Sequence, residues 1–122
     1  MPAFLGLRSA FYAAPDLPAA RDWYTRALGV APYFDQPFYV GFEVGGFELG
    51  LVPDEPPNSG GVAWGVADIG VEVGRLLGLG ATEVQPVTGV GDGIFVARVR
   101  DPFGNVLGLI QNPHFREAPA GG

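Results

Sequence analysis

The chain has 122 residues, of which 48% are hydrophobic and 16% are charged, a composition typical of a folded domain and not of a disordered segment. The formal net charge is -6, the seven basic residues are all arginines without the clustering of a nucleic-acid binder, and the absence of cysteine excludes disulfides and thiolate sites. No apolar run reaches the roughly 20 residues of a membrane helix and no secretory signal is recognisable, so we expect a cytoplasmic protein without membrane or nucleic-acid partners.

The first half of the chain has the pattern of one strand, one helix and three more strands. An apolar run over Leu5–Ala13 predicts the first strand. Apolar residues at helical spacing then predict a helix that starts at Leu17, is capped by Asp16 and ends at Gly29. Turn-forming residues separate the next three predicted strands, which are Tyr33–Asp35, Phe38–Val44 and Phe47–Val52.

The second half repeats this order after a turn-rich linker over 53–61. Val62–Ala67 predicts a strand, and Asp68 caps a helix that ends before Gly80. Asp68 follows Asp16 by 52 residues, and three strands follow again, near Thr82–Val87, Ile94–Val99 and Val106–Gln111. We therefore predict one α+β domain over residues 1–122, made of two βαβββ modules in tandem at about 3–52 and 62–113.

The second predicted helix carries an unusual glycine face. Gly70, Gly74 and Gly78 follow each other at intervals of four, and each costs about 0.5–1 kcal/mol relative to alanine. Either this face packs closely against a neighbouring element, or the helix is simply short and weak.

Two motifs within the doubled pattern resemble a known family. The segment 101–105, Asp-Pro-Phe-Gly-Asn, resembles the turn before the last strand of that family. The family's first helix has its counterpart here in Asp16, Ala20, Trp23, Tyr24, Leu28 and Gly29. With the repeated βαβββ order, the chain is identified over Leu5–Pro113 as a member of the vicinal oxygen chelate superfamily of glyoxalases, extradiol dioxygenases and bleomycin-resistance proteins. The resemblance implies a mixed sheet curled into a cup, with the helices outside and commonly one divalent metal inside.

The resemblance also identifies the positions where the family holds its metal. They correspond to Ser9 and Val62 on the first strands, Gly108 on the last strand, and Glu48 or Gly50 in the first module. One carboxylate and one hydroxyl are too few ligands for a divalent ion. We therefore expect no metal and no other cofactor, and we expect the glycines to leave space for a bound molecule.

Three further side chains bear on the nature of this site. Phe11 and Trp64 have the strand parity of Ser9 and Val62, so they are either aromatic walls of a pocket or core residues. Glu48 is either a general base or polar pocket residue, or a solvated carboxylate.

The remaining candidates have alternatives of the same kind. His114 is the only imidazole, and it is either a proton donor or metal ligand, or a surface or dimer-contact residue. Arg98 and Arg100 lie on one strand face, where they either bind an anionic ligand or face solvent or a partner.

The leading functional hypothesis is metal-independent binding of a small molecule, similar to the family's drug-sequestering proteins. Its predicted ligand-binding residues are Ser9, Phe11, Glu48, Gly50, Val62, Trp64 and Gly108. One alternative is a glyoxalase-like lyase or isomerase with Glu48 as catalytic base, and another is a dimeric interaction module without a small ligand. We expect a homodimer, and we expect Gly108→Leu to fill the pocket with little loss of stability.

Overall fold

The computed structural model describes residues 9–57 and 62–114. The elements follow the order βαβββ twice along the chain. The first set is β1 (Ser9–Ala13), α1 (Leu17–Leu28), β2 (Phe34–Gln36), β3 (Tyr39–Val44) and β4 (Phe47–Val52). The second set is β5 (Ala63–Gly65), α2 (Ile69–Gly78), β6 (Thr82–Gly91), β7 (Ile94–Arg100) and β8 (Val106–Gln111). The α+β class and the tandem modules are therefore confirmed.

The described residues divide into two compact units, with the boundary between Glu55 and Pro56. Each unit contains one open four-stranded sheet, with the orders β1-β4-β3-β2 and β5-β8-β7-β6. In each sheet the first strand runs parallel to the last strand of its module, and the other pairs are antiparallel. The curling of these sheets into a cup stays a prediction.

The helix α1 begins and ends where its capping residues require. The Asp16 carboxylate accepts a hydrogen bond from the Ala19 N–H at 3.1 Å, and Gly29 ends the helix with a φ of 74°, a left-handed conformation that favours glycine. The inner face of α1 is buried against the sheet through Leu17, Ala20, Trp23, Tyr24 and Ala27. The sheet contributes Tyr12, Val40, Phe42, Leu49 and Leu51 to the same core.

The second unit differs from the sequence prediction in the length of β6. This strand continues past Val87 to Gly91, because the chain reverses only at Asp92 and Gly93, which have φ of 57° and 76°. The strand lies at the edge of its sheet, where Pro86 is tolerated because its missing N–H need not pair. Several shifts in the β6 and β7 register accompany this irregular edge.

The glycine face of α2 has no close neighbour within the described part of the chain. A Cβ added at Gly74 or Gly78 would meet no heavy atom within 4 Å. The ten-residue helix is capped by the Asp68 carboxylate, which accepts from the Val71 N–H at 3.2 Å. In the described part of the chain, α2 therefore fits the alternative of a short, weak helix better than that of a closely packed glycine face. No helix in residues 9–57 or 62–114 is long and apolar enough to cross a membrane.

Candidate functional site

The face of the first sheet opposite α1 presents a row of aromatic residues and glycines. In the register of the four strands, Phe11 pairs with Gly50, Gly50 with Gly41, and Gly41 with Phe34. Partner residues on neighbouring strands direct their side chains to the same side of a sheet, so this row lies on one face. Phe11 is 53% exposed, whereas the next residue on β1, Tyr12, is buried in the core on the opposite face.

Glu48 is the polar centre of this face. The Tyr33 hydroxyl donates a hydrogen bond to its Oε1 atom, and the Tyr39 hydroxyl donates one to its Oε2 atom. These bonds, from Tyr33 first and then Tyr39, lower the pKa of the Glu48 carboxyl and outweigh the opposing effect of partial burial. Glu48 is therefore ionised at neutral pH, and it has partners that the sequence did not reveal.

The two phenols remain protonated donors. The hydrogen bond to Glu48 is the main cause that raises the pKa of Tyr33. Burial is the main cause that raises the pKa of Tyr39, followed by the hydrogen bond to Glu48. We call Tyr33, Tyr39 and Glu48 the tyrosine-glutamate cluster.

Two glycines make room for the rings of this cluster. A Cβ at Gly50 would lie 2.8 Å from Phe11 Cδ1 and from Tyr39 Cε1. A Cβ at Gly41 would lie 3.1 Å from Tyr33 Cε1 and 3.2 Å from Tyr39 Cε2. The expectation that Gly50 leaves space for a ligand is therefore wrong, because aromatic rings of the same chain occupy that space.

A surface groove of about 480 Å³ lies beside the cluster. It is lined by Ser9, Tyr33, Glu43, Gly46, Phe47 and Glu48, and we call it the acidic groove. Glu43 and Glu48 are directly opposite each other on β3 and β4, an arrangement in which like charges repel. None of the described residues that line the groove is basic. Among residues 9–57 and 62–114, Arg21 and Arg75 form ion pairs with other carboxylates.

The second unit does not offer the matching residues that the sequence predicted. Gly108 pairs with Ala63, whereas Trp64 pairs with Leu109, so Trp64 and Gly108 face opposite sides of their sheet. A Cβ at Gly108 would lie 2.5 Å from the Val62 carbonyl oxygen, which accepts the Gly108 N–H at 3.0 Å. The predicted space at Gly108 is therefore wrong, and so is the expectation that Gly108→Leu costs little stability.

The donor set of the described residues does not fit a divalent metal. In residues 9–57 and 62–114, no three His, Asp or Glu side chains converge. Both oxygens of Glu48 already accept phenol hydrogen bonds, and Gly108 faces backbone and has no donor. Ser9, the partner of Glu48 on β1, adds one hydroxyl at most, which is short of the several converging ligands that such an ion needs.

The other predicted candidates lie in the second unit. The ring nitrogen Nε2 of His114 is 2.9 Å from the Asp92 carbonyl oxygen, and the backbone N–H of His114 donates to Asn112 Oδ1 at 2.9 Å. This exposed residue therefore joins a turn to the end of β8. Arg98 and Arg100 are exposed on the face of β7 that Gly108 shares. The structure thus assigns a local contact to His114 and leaves both arginine side chains at the surface.

Sequence reasoning missed Tyr33 and Tyr39. One signal was available, because a turn at Gly45 and Gly46 implies a hairpin register that places Gly41 opposite Gly50. Tyr39 has the strand parity of Gly41, so its ring belongs to the same face. No comparable signal places Tyr33, which lies outside the strands.

Comparison with known proteins agrees with this architecture. Residues 6–109 match the model of the Glyoxalase/Bleomycin resistance protein/Dioxygenase superfamily. A search of proteins with curated functions finds no significant match.

Solved structures share the fold at low sequence identity. A glyoxalase-related enzyme from Fulvimarina pelagi is 21% identical, with a TM-score of 0.76 over 95% of this chain and 94% of the other. A superfamily member from Sphaerobacter thermophilus is also 21% identical, with a TM-score of 0.75 over 91% of this chain and all of the other (100%). TioX from Micromonospora sp. ML1 is 23% identical, with a TM-score of 0.70 over 87% and 98%. By the match over residues 6–109, the chain belongs to the Glyoxalase/Bleomycin resistance protein/Dioxygenase superfamily.

Proposed function

We propose that this protein binds a small molecule without a metal, and that Glu48 holds the cationic group of a flat, largely apolar ligand. The observation that carries the proposal is a carboxylate that accepts hydrogen bonds from two phenols, in a groove whose described lining includes no basic residue. Small-molecule sites commonly combine aromatic walls with a few fixed polar groups. The acidic groove has this composition.

The charges favour a cation over a neutral or anionic ligand. Glu48 and Glu43 are opposite partners on neighbouring strands, so a positive charge between them relieves their repulsion. The exposed rings of Tyr33 and Phe47 line the same groove, where aromatic faces attract cations. An anion would meet two carboxylates, and no basic side chain among the described lining residues would compensate for them.

The glyoxalase-like alternative receives less support from the same cluster. A general base works best when its pKa lies near the working pH. The two tyrosine hydrogen bonds lower the pKa of Glu48, which weakens it as a base. Binding is therefore the better use of this carboxylate.

A thermal-shift titration tests the proposal with a matched pair of probes. N-methylacridinium is a planar cation, and acridine is its neutral counterpart of nearly the same shape at neutral pH. We expect the cation alone to raise the unfolding temperature of the wild type as its concentration increases, because a ligand of the folded state stabilises that state.

Two charge-matched variants complete this experiment. Glu48→Gln is expected to weaken binding of the cation about twofold to fivefold, since N-methylacridinium offers the carboxylate a charge but no hydrogen-bond donor, and a solvent-accessible ion contact contributes up to about 1 kcal/mol. Glu83→Gln makes the same change at an exposed position on β6 and is expected to leave binding unchanged. Equal binding of both probes, or equal loss in both variants, would contradict the proposal.

A further inference from the structure

The two tyrosines of the cluster are held very differently. Tyr39 lies on β3, and its ring centroid is 5.9 Å from that of Phe34 and 6.5 Å from that of Phe11. Its ring also lies over Gly50 and Gly41, so packing holds it on three sides. Rotation of Tyr39 away from Glu48 would lose these contacts and would leave a half-buried hydroxyl to find a new partner.

Tyr33 is held by fewer contacts than Tyr39, namely its backbone and the approach of its ring to Gly41. It precedes β2, and its N–H donates to the Gly41 carbonyl oxygen at 3.0 Å. Its side chain is 61% exposed, and the described aromatic pairs do not include it. Rotation of Tyr33 therefore costs less than rotation of Tyr39, because it gives up only the contact with Gly41 and because its exposed hydroxyl can exchange Glu48 for water.

We propose, on the basis of the function proposed above, that Tyr39 positions Glu48 while Tyr33 is a displaceable cap whose hydroxyl gives up Glu48 Oε1 to the cationic ligand. The exposed ring of Tyr33 lines the acidic groove, and its hydroxyl donates to Glu48 Oε1, the oxygen that a cation in the groove would approach. Tyr33 therefore sets the affinity and the selectivity of the site. Only a ligand whose interaction with the carboxylate exceeds that of a phenol displaces the cap, so neutral donors are rejected.

The two roles predict effects of opposite sign for the same chemical change. Tyr33→Phe removes the competing hydroxyl and is expected to tighten N-methylacridinium binding about threefold to tenfold. Tyr39→Phe removes the positioning bond and is expected to weaken binding about threefold to tenfold. Each variant loses one oxygen atom and keeps the ring, so the packing of the face is preserved.

The experiment titrates N-methylacridinium, followed by its fluorescence, into the wild type, Tyr33→Phe, Tyr39→Phe and Glu48→Gln. A second readout uses tetramethylammonium, which does not absorb, and records the near-ultraviolet difference spectrum of tyrosine. A phenol that exchanges a carboxylate for water changes this spectrum. We expect the change in the wild type and in Tyr39→Phe, and we expect its loss in Tyr33→Phe, which a purely structural role for Tyr33 would not produce.

The outcomes separate this inference from the function on which it rests. If the wild type binds in a Glu48-dependent way but Tyr33→Phe weakens binding as Tyr39→Phe does, the cap is wrong and the proposed function stands. If the wild type binds no N-methylacridinium, or if Glu48→Gln changes nothing, the proposed function itself is overturned. If Tyr33→Phe tightens binding and abolishes the spectral change, the cap is supported.

Discussion

At the scale of single residues, Gly41 and Gly50 determine the geometry around Glu48. Glycine inside a strand usually weakens it, and it is retained where another group approaches the backbone closely. Here the approaching groups are the rings of Tyr33, Tyr39 and Phe11. Both glycines are needed because a side chain at either position would meet the rings whose hydroxyls donate to Glu48.

Gly50→Ala is therefore expected to lower the free energy of unfolding by about 1–3 kcal/mol. The added Cβ would lie 2.8 Å from atoms of Phe11 and Tyr39, so both rings must move. Urea unfolding measures this loss, and cation affinity should fall with it because Tyr39 no longer reaches Glu48. Unchanged stability would show that the rings are not held as described.

The protonation of Glu48 predicts a pH dependence of stability. The tyrosine bonds lower its pKa in the folded state below the ordinary value of 4.5. A lowered folded pKa contributes stability that is complete above the unfolded value and is lost as pH falls through the folded pKa. The stability advantage of the wild type over Glu48→Gln should thus be present at neutral pH and shrink in acid. A difference that stays constant from neutral pH to below the folded pKa would contradict this assignment.

At the scale of elements, a shift of one residue explains the error at Trp64. Phe11 lies beside Gly50 on the first sheet, and the equivalent neighbour of Gly108 on the second sheet is Ala63. In the sequence prediction, Val62 is the counterpart of Ser9, which makes Trp64 the counterpart of Phe11 and so places Trp64, instead of Ala63, beside Gly108. Because side chains alternate between faces, one residue of register moves a side chain to the opposite side.

Two glycine-to-alanine substitutions in the second unit should have opposite effects. Gly74→Ala is expected to raise the free energy of unfolding by about 0.5–1 kcal/mol, since the described residues leave its Cβ free and alanine favours a helix. Gly108→Ala is expected to lower it by about 1–3 kcal/mol, because β5 must shift away from the new Cβ. Denaturant midpoints compare the two directly, and a destabilising Gly74→Ala would mean that the glycine face of α2 packs against a partner after all.

At the scale of the whole molecule, exposed aromatic residues concentrate in the first unit. In the described residues the first unit has five of them, which are Phe11, Tyr33, Phe34, Phe38 and Phe47, and the second unit has one, Phe95. Exposed apolar surface of this kind is typical of ligand or protein contacts. The proposed ligand uses the part around Glu48, and Phe38 lies in the turn between β2 and β3, outside the residues that line the acidic groove.

We therefore propose a homodimer that covers the Phe38 region. Light scattering at micromolar concentration is expected to report twice the chain mass of 12.8 kDa. Phe38 is 66% exposed, so Phe38→Asp should leave the fold intact and shift the protein toward the monomer. A wild type that scatters as the monomer alone would overturn this proposal.

The sequence by itself determined the order of the elements, the ends of α1 and the family, because caps, turns and hydrophobic periods are local signals. It also identified Glu48 as the polar residue of the candidate site. Only the tertiary structure decided what surrounds Glu48 and which glycines are filled. Tyr33 is 15 residues from Glu48 along the chain, and the neighbours of Gly50 and Gly108 depend on strand register, which parity within one strand does not specify.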